Sequence, residues 1–501
     1  MLIDLRQLAG GEEFDADVCV VGAGAAGISI ARELGATGHS VLLAESGGMQ
    51  YELPTQALYS GAETGTLLSP KTQYLGTSRL RYLGGTTGHW NGWCRRLDPN
   101  DFSLRPWVDE VGWPISRDDL EPFYERAAPI VQISAFDYDE ETAGVGPKLL
   151  PGDEVFETSY FHLSPPTRFG TVYQDELECS DSIRVLLYAN VRAIDLDEQA
   201  SHVSGLEVVR LDGVSFPIRA RHFVLATGAI ENARLLLANT DVQPNGIGND
   251  WDQVGRYFMD HPFLEMGYMA LPYWRHLLPR NYAKAYVKSR GNSIHGILRV
   301  RAAVQSRERL LNALIIFRPL PNATQRPLAT AVAKFIAGQH ALRGEALAKP
   351  GSTYYGRVMV HGEQTPNPES RVRLADEVDG LGMRKTRLDW RLRDRDARSL
   401  VETAKLFARR LGLHGHGRMR FTAEEHDLWP RADWSWHHIG TTRMHDDPRR
   451  GVVNADCRLH GIDNLFVAGS SVFTTAGASN PTFTIIALAL RLSDHLKKLL
   501  A

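Results

Sequence analysis

Two stretches near the end of the chain carry side chains that could move a proton. The first holds the adjacent histidines His437 and His438, and the second holds Asn480 directly before Pro481 and an apolar run. A neutral imidazole is a suitable proton acceptor because its unperturbed pKa is about 6.5. A side-chain amide can donate to a ligand oxygen and can also accept from it. Together these groups would suit the removal of a proton from a hydroxyl group.

The apolar run predicts a helix over residues 482–499, with Pro481 in its first turn. Asn480 could serve simply as the cap of this helix, and His437 could be an ordinary core histidine. For Asn480, capping and a role in the reaction are compatible, because the N-terminus of a helix carries a partial positive charge. That charge would favour negative charge that develops in a reaction beside it.

The N-terminal region carries the pattern of a dinucleotide-binding turn. An apolar run over 18–21 predicts a buried strand, the sequence GAGAAG predicts a tight turn, and residues 28–34 continue as a helix. A second strand over 40–44 ends at Glu45, which could accept hydrogen bonds from ribose hydroxyls. A merely glycine-rich turn is the alternative, and the ordered succession of strand, turn, helix, strand and acid argues against it. The glycines that would admit a pyrophosphate at the helix N-terminus are Gly22, Gly24 and Gly27.

Three later segments would close around the same ligand. Residues 81–94 form a glycine-dense loop with two tryptophans and a histidine, which could bring its backbone close to a flat ligand. Residues 220–239 predict a buried strand that runs into a helix through a glycine turn, and residues 463–470 predict another strand that ends on a glycine. The first fingerprint alone does not separate NAD from FAD, and these segments favour FAD.

The order of these motifs resembles one known family. The sequences GAGAAG, GGTTGHW, LATGAIENARLLL, DNLFVAGSS and ASNPTFT occur as in the glucose–methanol–choline (GMC) oxidoreductases, and GGTTGHW, HHIGTTRM and SNPT are most similar to bacterial sugar-oxidising enzymes and pyranose oxidases. The resemblance implies an α/β fold. It would have a discontinuous, Rossmann-like FAD-binding domain and a second, α+β substrate domain built on an antiparallel sheet.

We expect the FAD-binding domain to comprise residues 1–102, 180–239 and 451–501, and the substrate domain to comprise residues 103–179 and 240–450. Within the second domain, β-branched and aromatic enrichment predicts strands over 264–270, 295–302, 311–317 and 354–360. Residues 328–348 read as a helix, which would be a surface helix, a lid, a subunit contact or a membrane-surface patch.

The resemblance also implies roles for single residues. His437 stands three positions before Gly440 in the family's HxxG pattern and would be the base, with Asn480 orienting the substrate oxygen. The loop histidine His89 would either carry FAD covalently or pack over it. Trp93, Gln364 and His438 would contact substrate, although His438 could also pack elsewhere. The full set of cofactor contacts that we expect is Gly22, Gly24, Ala25, Gly27, Glu45, Gly84, Gly85, His89, Trp90, Asn91, Val191, Ala226, Gly228, Gly469, Pro481 and Thr482. No residue pattern predicts a metal site.

The function implied is FAD-dependent oxidation of an alcohol hydroxyl to a carbonyl, on a sugar, glycoside or related polyol. His437 would take the proton and flavin N5 the hydride, and oxygen, a quinone or a redox partner would accept the electrons. An NAD(P)H-fed flavin reductase or monooxygenase is less favoured, because the chain carries one GxGxxG motif and such enzymes often carry two. A flavin-binding protein without turnover is the third alternative.

Composition limits the remaining classes. The 501 residues include 56 Lys and Arg against 59 Asp and Glu, for a net charge of −3 without a basic block, so a nucleic-acid partner is not expected. The four cysteines lie far apart and form no CxxC pair, which fits a reducing compartment. The N-terminus resembles no leader, and no apolar run approaches the roughly 20 residues of a membrane span. We therefore expect a cytoplasmic enzyme.

Overall fold

The computed structural model describes residues 1–65, 73–108, 112–134, 148–271, 282, 287–289, 292–319 and 354–501. In chain order, the strands are β1 Leu2–Asp4, β2 Phe14–Val21, β3 Val41–Ala44, β4 Gly61–Gly65, β5 Trp93–Cys94, β6 Phe156–Leu163, β7 Ile183–Leu187, β8 Asn190–Leu196, β9 Val203–Val209, β10 Ser215–Leu225, β11 Pro262–Leu271, β12 Val287–Ser289, β13 Asn292–Val300, β14 Ala313–Pro319, β15 Tyr354–Gly362, β16 Arg371–Val378, β17 Arg384–Trp390, β18 Arg418–Phe421, β19 Asp433–Trp434 and β20 Leu465–Val467. The α-helices are α1 Ala25–Gly35, α2 Leu53–Gln56, α3 Tyr74–Thr77, α4 Pro99–Phe102, α5 Glu121–Ile130, α6 Phe169–Val172, α7 Gln174–Cys179, α8 Ala229–Ala238, α9 Ala302–Glu308, α10 Asp394–Leu413 and α11 Thr482–Leu500.

The first sheet is mostly parallel and brings together strands that are far apart in sequence. Its order is β1-β7-β3-β2-β10-β9-β8, and β20 pairs with the C-terminal half of β10. Helix α1 connects β2 to β3, which are parallel neighbours, as in a nucleotide-binding βαβ unit. The pairings of β10 with β9 and of β9 with β8 are antiparallel. The carboxyl ends of β2, β3, β10 and β20 therefore meet at one edge, where the glycine turns of the sequence lie.

The second sheet is antiparallel throughout the described residues. Its order is β18-β11-β15-β14-β13-β6-β5, with β12 beside β13 and β19 beside β11. Helix α10 buries one face against this sheet, and its side chains Leu400, Ala404 and Phe407 join the same apolar cluster as Leu264 and Val358. A third, three-stranded sheet has the order β16-β17-β4.

The main hydrophobic core surrounds the first sheet. Helix α11 packs against α1 and α5 and contributes the buried residues Phe483, Ile486 and Leu490 to that core. Burial of this long helix is what fixes its first turn, because an isolated helix in water is only marginally stable. Its N-terminus is thereby held at the edge of the first sheet.

The predicted fold class is confirmed: a discontinuous Rossmann-like unit stands beside an α+β unit on an antiparallel sheet. The domain boundaries themselves stay a prediction. Within the elements, β2 begins four residues before the expected strand, because Phe14 pairs in register with Ile218 of β10. The strand expected over 295–302 ends at Val300, since Ala302 starts helix α9.

The helix expected over residues 328–348 lies outside the described residues. Among the helices that are described, none is both long and apolar enough to span a bilayer.

Candidate active site

One cavity of about 510 Å³ is lined by residues from both large sheets, within the range of volumes typical of ligand pockets. Its walls include the glycine turns at the edge of the first sheet and the side chains of Phe263, Ile316 and His361 from the second. The residues that the sequence singled out divide between these two regions. We call the first region the glycine end of the cavity and the second the histidine end.

Three helices begin at the cavity without a side-chain cap. Gly24 precedes α1, Gly228 precedes α8 and Pro481 precedes α11, and all three of these N-cap residues line the cavity. Helix N-termini present unpaired N–H groups and partial positive charge, so three of them around one cavity favour an anionic ligand.

The glycines at this end fall into two kinds. A Cβ at Gly24, Gly228 or Gly469 would meet no protein atom within 4 Å, so the space that these residues leave open belongs to the cavity. A Cβ at Gly27 would lie 1.9 Å from the carbonyl oxygen of Gly22, and this glycine permits the close contact of α1 with the turn. Gly27 therefore supports the turn from behind and does not line the cavity.

Glu45 connects the end of β3 to the glycine turn. Its carboxylate accepts the backbone N–H groups of Ala23 at 2.9 Å and Gly47 at 3.0 Å. The side chain is buried but lines the cavity, and burial raises its pKa while the two N–H donors lower it. Glu45 thus holds the shape of the turn and presents a polar edge to a ligand.

Two arginines at this end have guanidinium nitrogens without a hydrogen-bond partner among the described residues. These atoms are Nη2 of Arg79 and Nε and Nη1 of Arg81. Both side chains line the cavity and are partly neutralised by the buried carboxylate of Glu231. Their unpaired N–H groups add a second reason to expect an anionic acceptor here.

The loop from Gly84 to Trp93 runs along the cavity. The ring of His89 packs against that of Trp436, with centroids 5.2 Å apart, and its Nε2 is buried without a partner among the described residues. Burial lowers the pKa of His89, so the ring is neutral. Gly84 itself lies behind the loop. Its positive φ of 91° and its close approach to the backbone of Gly170 fit only a glycine.

The histidine end is built on an irregular strand pairing. Trp434 pairs with Pro262 and Ile439 pairs with Met259, so four residues on one strand face two on the other. The extra length is taken up at Trp436, whose φ of 59° lies in the left-handed region that non-glycine residues rarely adopt. A bulge of this kind redirects side chains, and here it turns His437 toward the cavity.

Asp260, one of the two residues opposite the bulge, holds it in place. One carboxylate oxygen accepts the N–H groups of His437 and His261, each at 2.7 Å. The other accepts the N–H of Trp436 at 3.1 Å and the hydroxyl of Tyr74 at 2.6 Å. Burial raises the pKa of Asp260 to about 6, against the lowering effect of these donors.

His437 and Asn480 meet at this end of the cavity. The Asn480 Nδ2 atom lies 3.4 Å from His437 Nε2, and both residues line the cavity. The first residue of α11 is Thr482, and its N-cap makes no side-chain hydrogen bond, so Asn480 is not the cap that its position suggested. Burial, followed by the neighbouring rings of His261 and His361, lowers the pKa of His437 well below its ordinary value. The imidazole is therefore neutral and able to accept a proton.

Two further histidines pack behind His437. His261 Nδ1 lies 2.8 Å from His437 Nδ1, and His361 Nδ1 lies 3.1 Å from the carbonyl oxygen of Ala478. Ring nitrogens of the three histidines all lie within 4.8 Å of one another. Burial lowers the pKa of His261 to about 4 and that of His361 well below its ordinary value.

Two of the residues expected to contact substrate are placed differently from each other. His438 packs between the rings of Tyr74 and Phe258, at 5.4 and 5.9 Å, yet still lines the cavity. Gln364 does not line it: the side chain is fully buried, accepts from the N–H of Asp260 at 3.2 Å and donates to the Phe258 carbonyl. Its place is behind Asp260, as a support of the bulge.

The structure brings most of the expected residues to one cavity and leaves three out. Those that line it are Gly22, Gly24, Ala25, Glu45, Gly85, His89, Trp90, Asn91, Trp93, Val191, Ala226, Gly228, His437, His438, Gly469, Asn480, Pro481 and Thr482. Those that do not are Gly27, Gly84 and Gln364.

Sequence reasoning missed the groups that hold the histidine end together. Asp260 and His261 stand just upstream of the strand expected over 264–270, and His361 directly follows the one expected over 354–360. An acid–histidine pair at a strand boundary was the available signal, but neither residue belongs to a recognisable spacing. Arg79, just before the glycine-dense loop, and Arg81, its first residue, were equally unmarked.

The donor set of the glycine end fits FAD. The uncapped N-termini of α1 and α8 and two partly unpaired arginines suit a pyrophosphate, and the glycines leave open space beside them. The residues that would hold the cofactor are those of the βαβ turn, Glu45 and the loop that carries His89.

Comparison with known proteins agrees with this geometry. A family model for FAD-dependent oxidoreductases matches residues 17–246, and one for GMC oxidoreductases matches residues 366–489. The large subunit of fructose dehydrogenase from Gluconobacter japonicus is 26% identical over 96% of this chain and 98% of its own length. The 6'''-hydroxyparomomycin C oxidase from Streptomyces lividus is 26% identical over 97% and 92%, respectively. The crystal structure of pyridoxine 4-oxidase from Mesorbium loti superposes with a TM-score of 0.57 at 19% identity, over 96% of this chain and 99% of that one.

Proposed function

The chain belongs to the GMC family of FAD-dependent oxidoreductases, which act on CH–OH groups, and from that premise we propose that it oxidises a hydroxyl group of a sugar, glycoside or related polyol to a carbonyl. In this proposal His437 accepts the hydroxyl proton and Asn480 orients the hydroxyl oxygen. FAD, when bound, supplies the acceptor of the hydride. The observation that carries the assignment is the 3.4 Å approach of Asn480 Nδ2 to His437 Nε2 at the cavity wall.

The two residues have complementary tasks. A neutral His437 offers a lone pair, because burial keeps its pKa well below that of a free histidine. Asn480 offers an amide N–H that can donate to the substrate oxygen while that oxygen still carries its proton. A substrate hydroxyl placed between them would give its proton to Nε2 and keep a donor from Asn480, which supports negative charge on the oxygen.

The substrate class is supported by the relatives and by the walls of the histidine end. One relative is named for fructose and another for hydroxyparomomycin, and both match along nearly their whole length. The cavity walls combine the aromatic rings of Trp93, Trp434 and Trp436 with the charged groups of Asp433 and Arg318. Such walls offer apolar faces for C–H groups and polar partners for hydroxyls.

We propose that the cofactor contacts are the cavity-lining residues of the glycine end, held by residues 1–102, 180–239 and 451–501 as one domain. We leave Gln364 out of the substrate contacts, because its amide is already bonded on both sides. Acid precipitation of the purified protein reports the mode of FAD attachment. Flavin in the pellet indicates a covalent bond, for which His89 is the proposed partner, and flavin in the supernatant indicates retention without a bond.

The central test is anaerobic reduction of the bound flavin, measured as the loss of its absorbance. Fructose, aminoglycosides and simple polyols are compared with an apolar primary alcohol, pyridoxine and NADPH. We expect a sugar or polyol to bleach the flavin, and His437→Ala to slow bleaching by about 10²–10⁴-fold. The matched control is His426→Ala, since His426 is exposed and does not line the cavity. Bleaching by NADPH alone would favour a reductase, and an unchanged rate in His437→Ala would remove the proposed base.

A further inference from the structure

The tautomer of His437 can be derived from the groups behind it. His261 Nε2 lies 3.1 Å from the carbonyl oxygen of Ala476 and 3.0 Å from that of Gly477. Carbonyl oxygens only accept hydrogen bonds, so His261 Nε2 must carry a proton. His261 is buried and neutral, so its other ring nitrogen, Nδ1, has a lone pair.

That lone pair decides which nitrogen of His437 is protonated. The two Nδ1 atoms are 2.8 Å apart, which is a hydrogen-bond distance, and the His261 atom can only accept. His437 therefore donates through Nδ1–H, and in its neutral form its Nε2 has the free lone pair. Asn480, on the other side of the His437 ring, supports the same tautomer independently. Its Nδ2 group approaches Nε2 and can only donate a hydrogen bond.

We propose that His261 is a positioning residue that holds His437 in the Nδ1–H tautomer and so presents Nε2 as the atom that accepts the substrate proton. This inference rests on the proposed function of His437 as the base. The carbonyls of Ala476 and Gly477 orient His261, and His261 in turn orients His437. When Nε2 takes the proton from the hydroxyl oxygen, the positive charge on His437 strengthens its existing Nδ1–H bond to His261.

A metal ion shared by the three histidines is the competing interpretation, and the distances disfavour it. Two imidazole nitrogens bound to one zinc at about 2.0–2.1 Å would be roughly 3.4 Å apart in a tetrahedral site. The 2.8 Å between the Nδ1 atoms of His261 and His437 is shorter than that. The carbonyl contacts of His261 also use the ring nitrogen that does not face His437.

A matched pair of substitutions separates hydrogen bonding from packing. Asparagine at position 261 places its amide oxygen near the position of Nδ1 and keeps the acceptor for His437. Glutamine reaches the position of Nε2 and keeps the donor to Ala476 and Gly477, but has no acceptor for His437. We expect His261→Asn to reduce flavin at a rate within about threefold of the wild-type enzyme. We expect flavin reduction in His261→Gln to be slower by roughly 10–100-fold. KM and flavin content should change little in both variants. Equal losses in the two variants would indicate packing alone and overturn the proposal.

The tautomer itself is measured by nitrogen NMR of the holoenzyme labelled with ¹⁵N-histidine. The His437 ring signals are assigned by their loss in His437→Gln. We expect a protonated Nδ1 and an unprotonated Nε2, and a shift toward mixed tautomers in His261→Gln. A protonated Nε2 in the unchanged enzyme would overturn the inference, as would ring signals that move on addition of EDTA. Full activity of His437→Ala would instead contradict the proposed base while leaving this tautomer measurement intact, so the two failures are distinguishable.

Discussion

The carboxylate of Asp260 accepts the backbone N–H of His437 at 2.7 Å, and this bond ties the proposed base to a buried charge. The same carboxylate also accepts from Trp436, whose backbone is in the left-handed region. A strained conformation costs about 1–3 kcal/mol and persists only when its surroundings determine it. Asp260 supplies that determination, because it accepts hydrogen bonds from two consecutive N–H groups of the bulge.

Replacement of Asp260 by asparagine should displace His437. The substitution keeps one acceptor oxygen and puts an amide N–H group where the second oxygen receives the Trp436 N–H. We expect flavin reduction to slow by roughly tenfold or more and the thermal midpoint to fall, since an unsatisfied buried N–H costs about 1–3 kcal/mol. Tyr74→Phe is the control, because it removes one donor to Asp260 and leaves the bulge bonded. A reduction rate in Asp260→Asn equal to that of Tyr74→Phe would contradict a positioning role.

Asn480 should affect the chemical step more than the fold. Asn480→Ala removes the amide beside His437 Nε2 but leaves α11 without change in its cap, because the helix has no side-chain cap to lose. We expect the flavin reduction rate at saturating substrate to fall by about 10–100-fold, with an unchanged thermal midpoint. Asn480→His tests the same point from the other side, because an imidazole can also donate to the oxygen and should restore part of the rate. A drop in stability as large as the drop in rate would show that Asn480 is structural.

The parts of the fold that follow local rules were predictable from the sequence. The GAGAAG turn, its strand and its helix lie within 30 residues, so their order alone indicated the nucleotide site. Helix α1 nevertheless begins at Ala25, three residues earlier than expected, because Gly27 packs inside the helix against Gly22. Its low helix propensity predicted Gly27 in the turn, but tertiary packing favours it inside the helix.

The histidine end could not be predicted in the same way, because it depends on pairing between distant segments. Asp260 and His437 are 177 positions apart, and they meet only through the register of β11 and β19. A bulge is a mismatch between two strands and leaves no mark on either strand alone. The register of β11 with β15 explains Gln364, which follows β15 and reaches the Asp260 backbone and not the cavity.

The pH dependence of kcat/KM should have an acidic limb that belongs to Asp260. His437 has a pKa well below 6.5 and stays neutral as the pH falls, so its own protonation lies further toward acid. Asp260, raised by burial to a pKa of about 6, takes up a proton first and then accepts less strongly from the N–H groups of the bulge. We expect kcat/KM to be constant from about pH 8 to pH 7 and to fall below about pH 6. Asp260→Asn should abolish this limb, and its persistence in that variant would assign it to another group.

His295 should make the protein sensitive to acid. Both ring nitrogens are buried without a hydrogen-bond partner among the described residues, and burial, followed by the charge of Arg318, lowers the pKa to about 4. The unfolded chain therefore binds a proton below about pH 6.5 that the folded protein does not bind. The free energy of unfolding keeps its full value above that pH and decreases as the pH falls toward 4. The decrease due to this residue is about 1 kcal/mol at pH 5.5.

Replacement of His295 by phenylalanine should remove this loss. The new ring keeps the contact with Trp93, whose centroid lies 5.0 Å from that of His295, and it brings no unpaired polar atoms into the core. We expect His295→Phe to have an equal or higher thermal midpoint at pH 7, and a smaller decrease between pH 7 and pH 5.5, measured by differential scanning fluorimetry of the holoenzyme. His426→Ala, at an exposed histidine, should keep the full pH dependence. If His295→Phe lost as much stability on acidification as the unchanged protein, His295 would have to be protonated in the folded state or bonded to a group that keeps its pKa near 6.5.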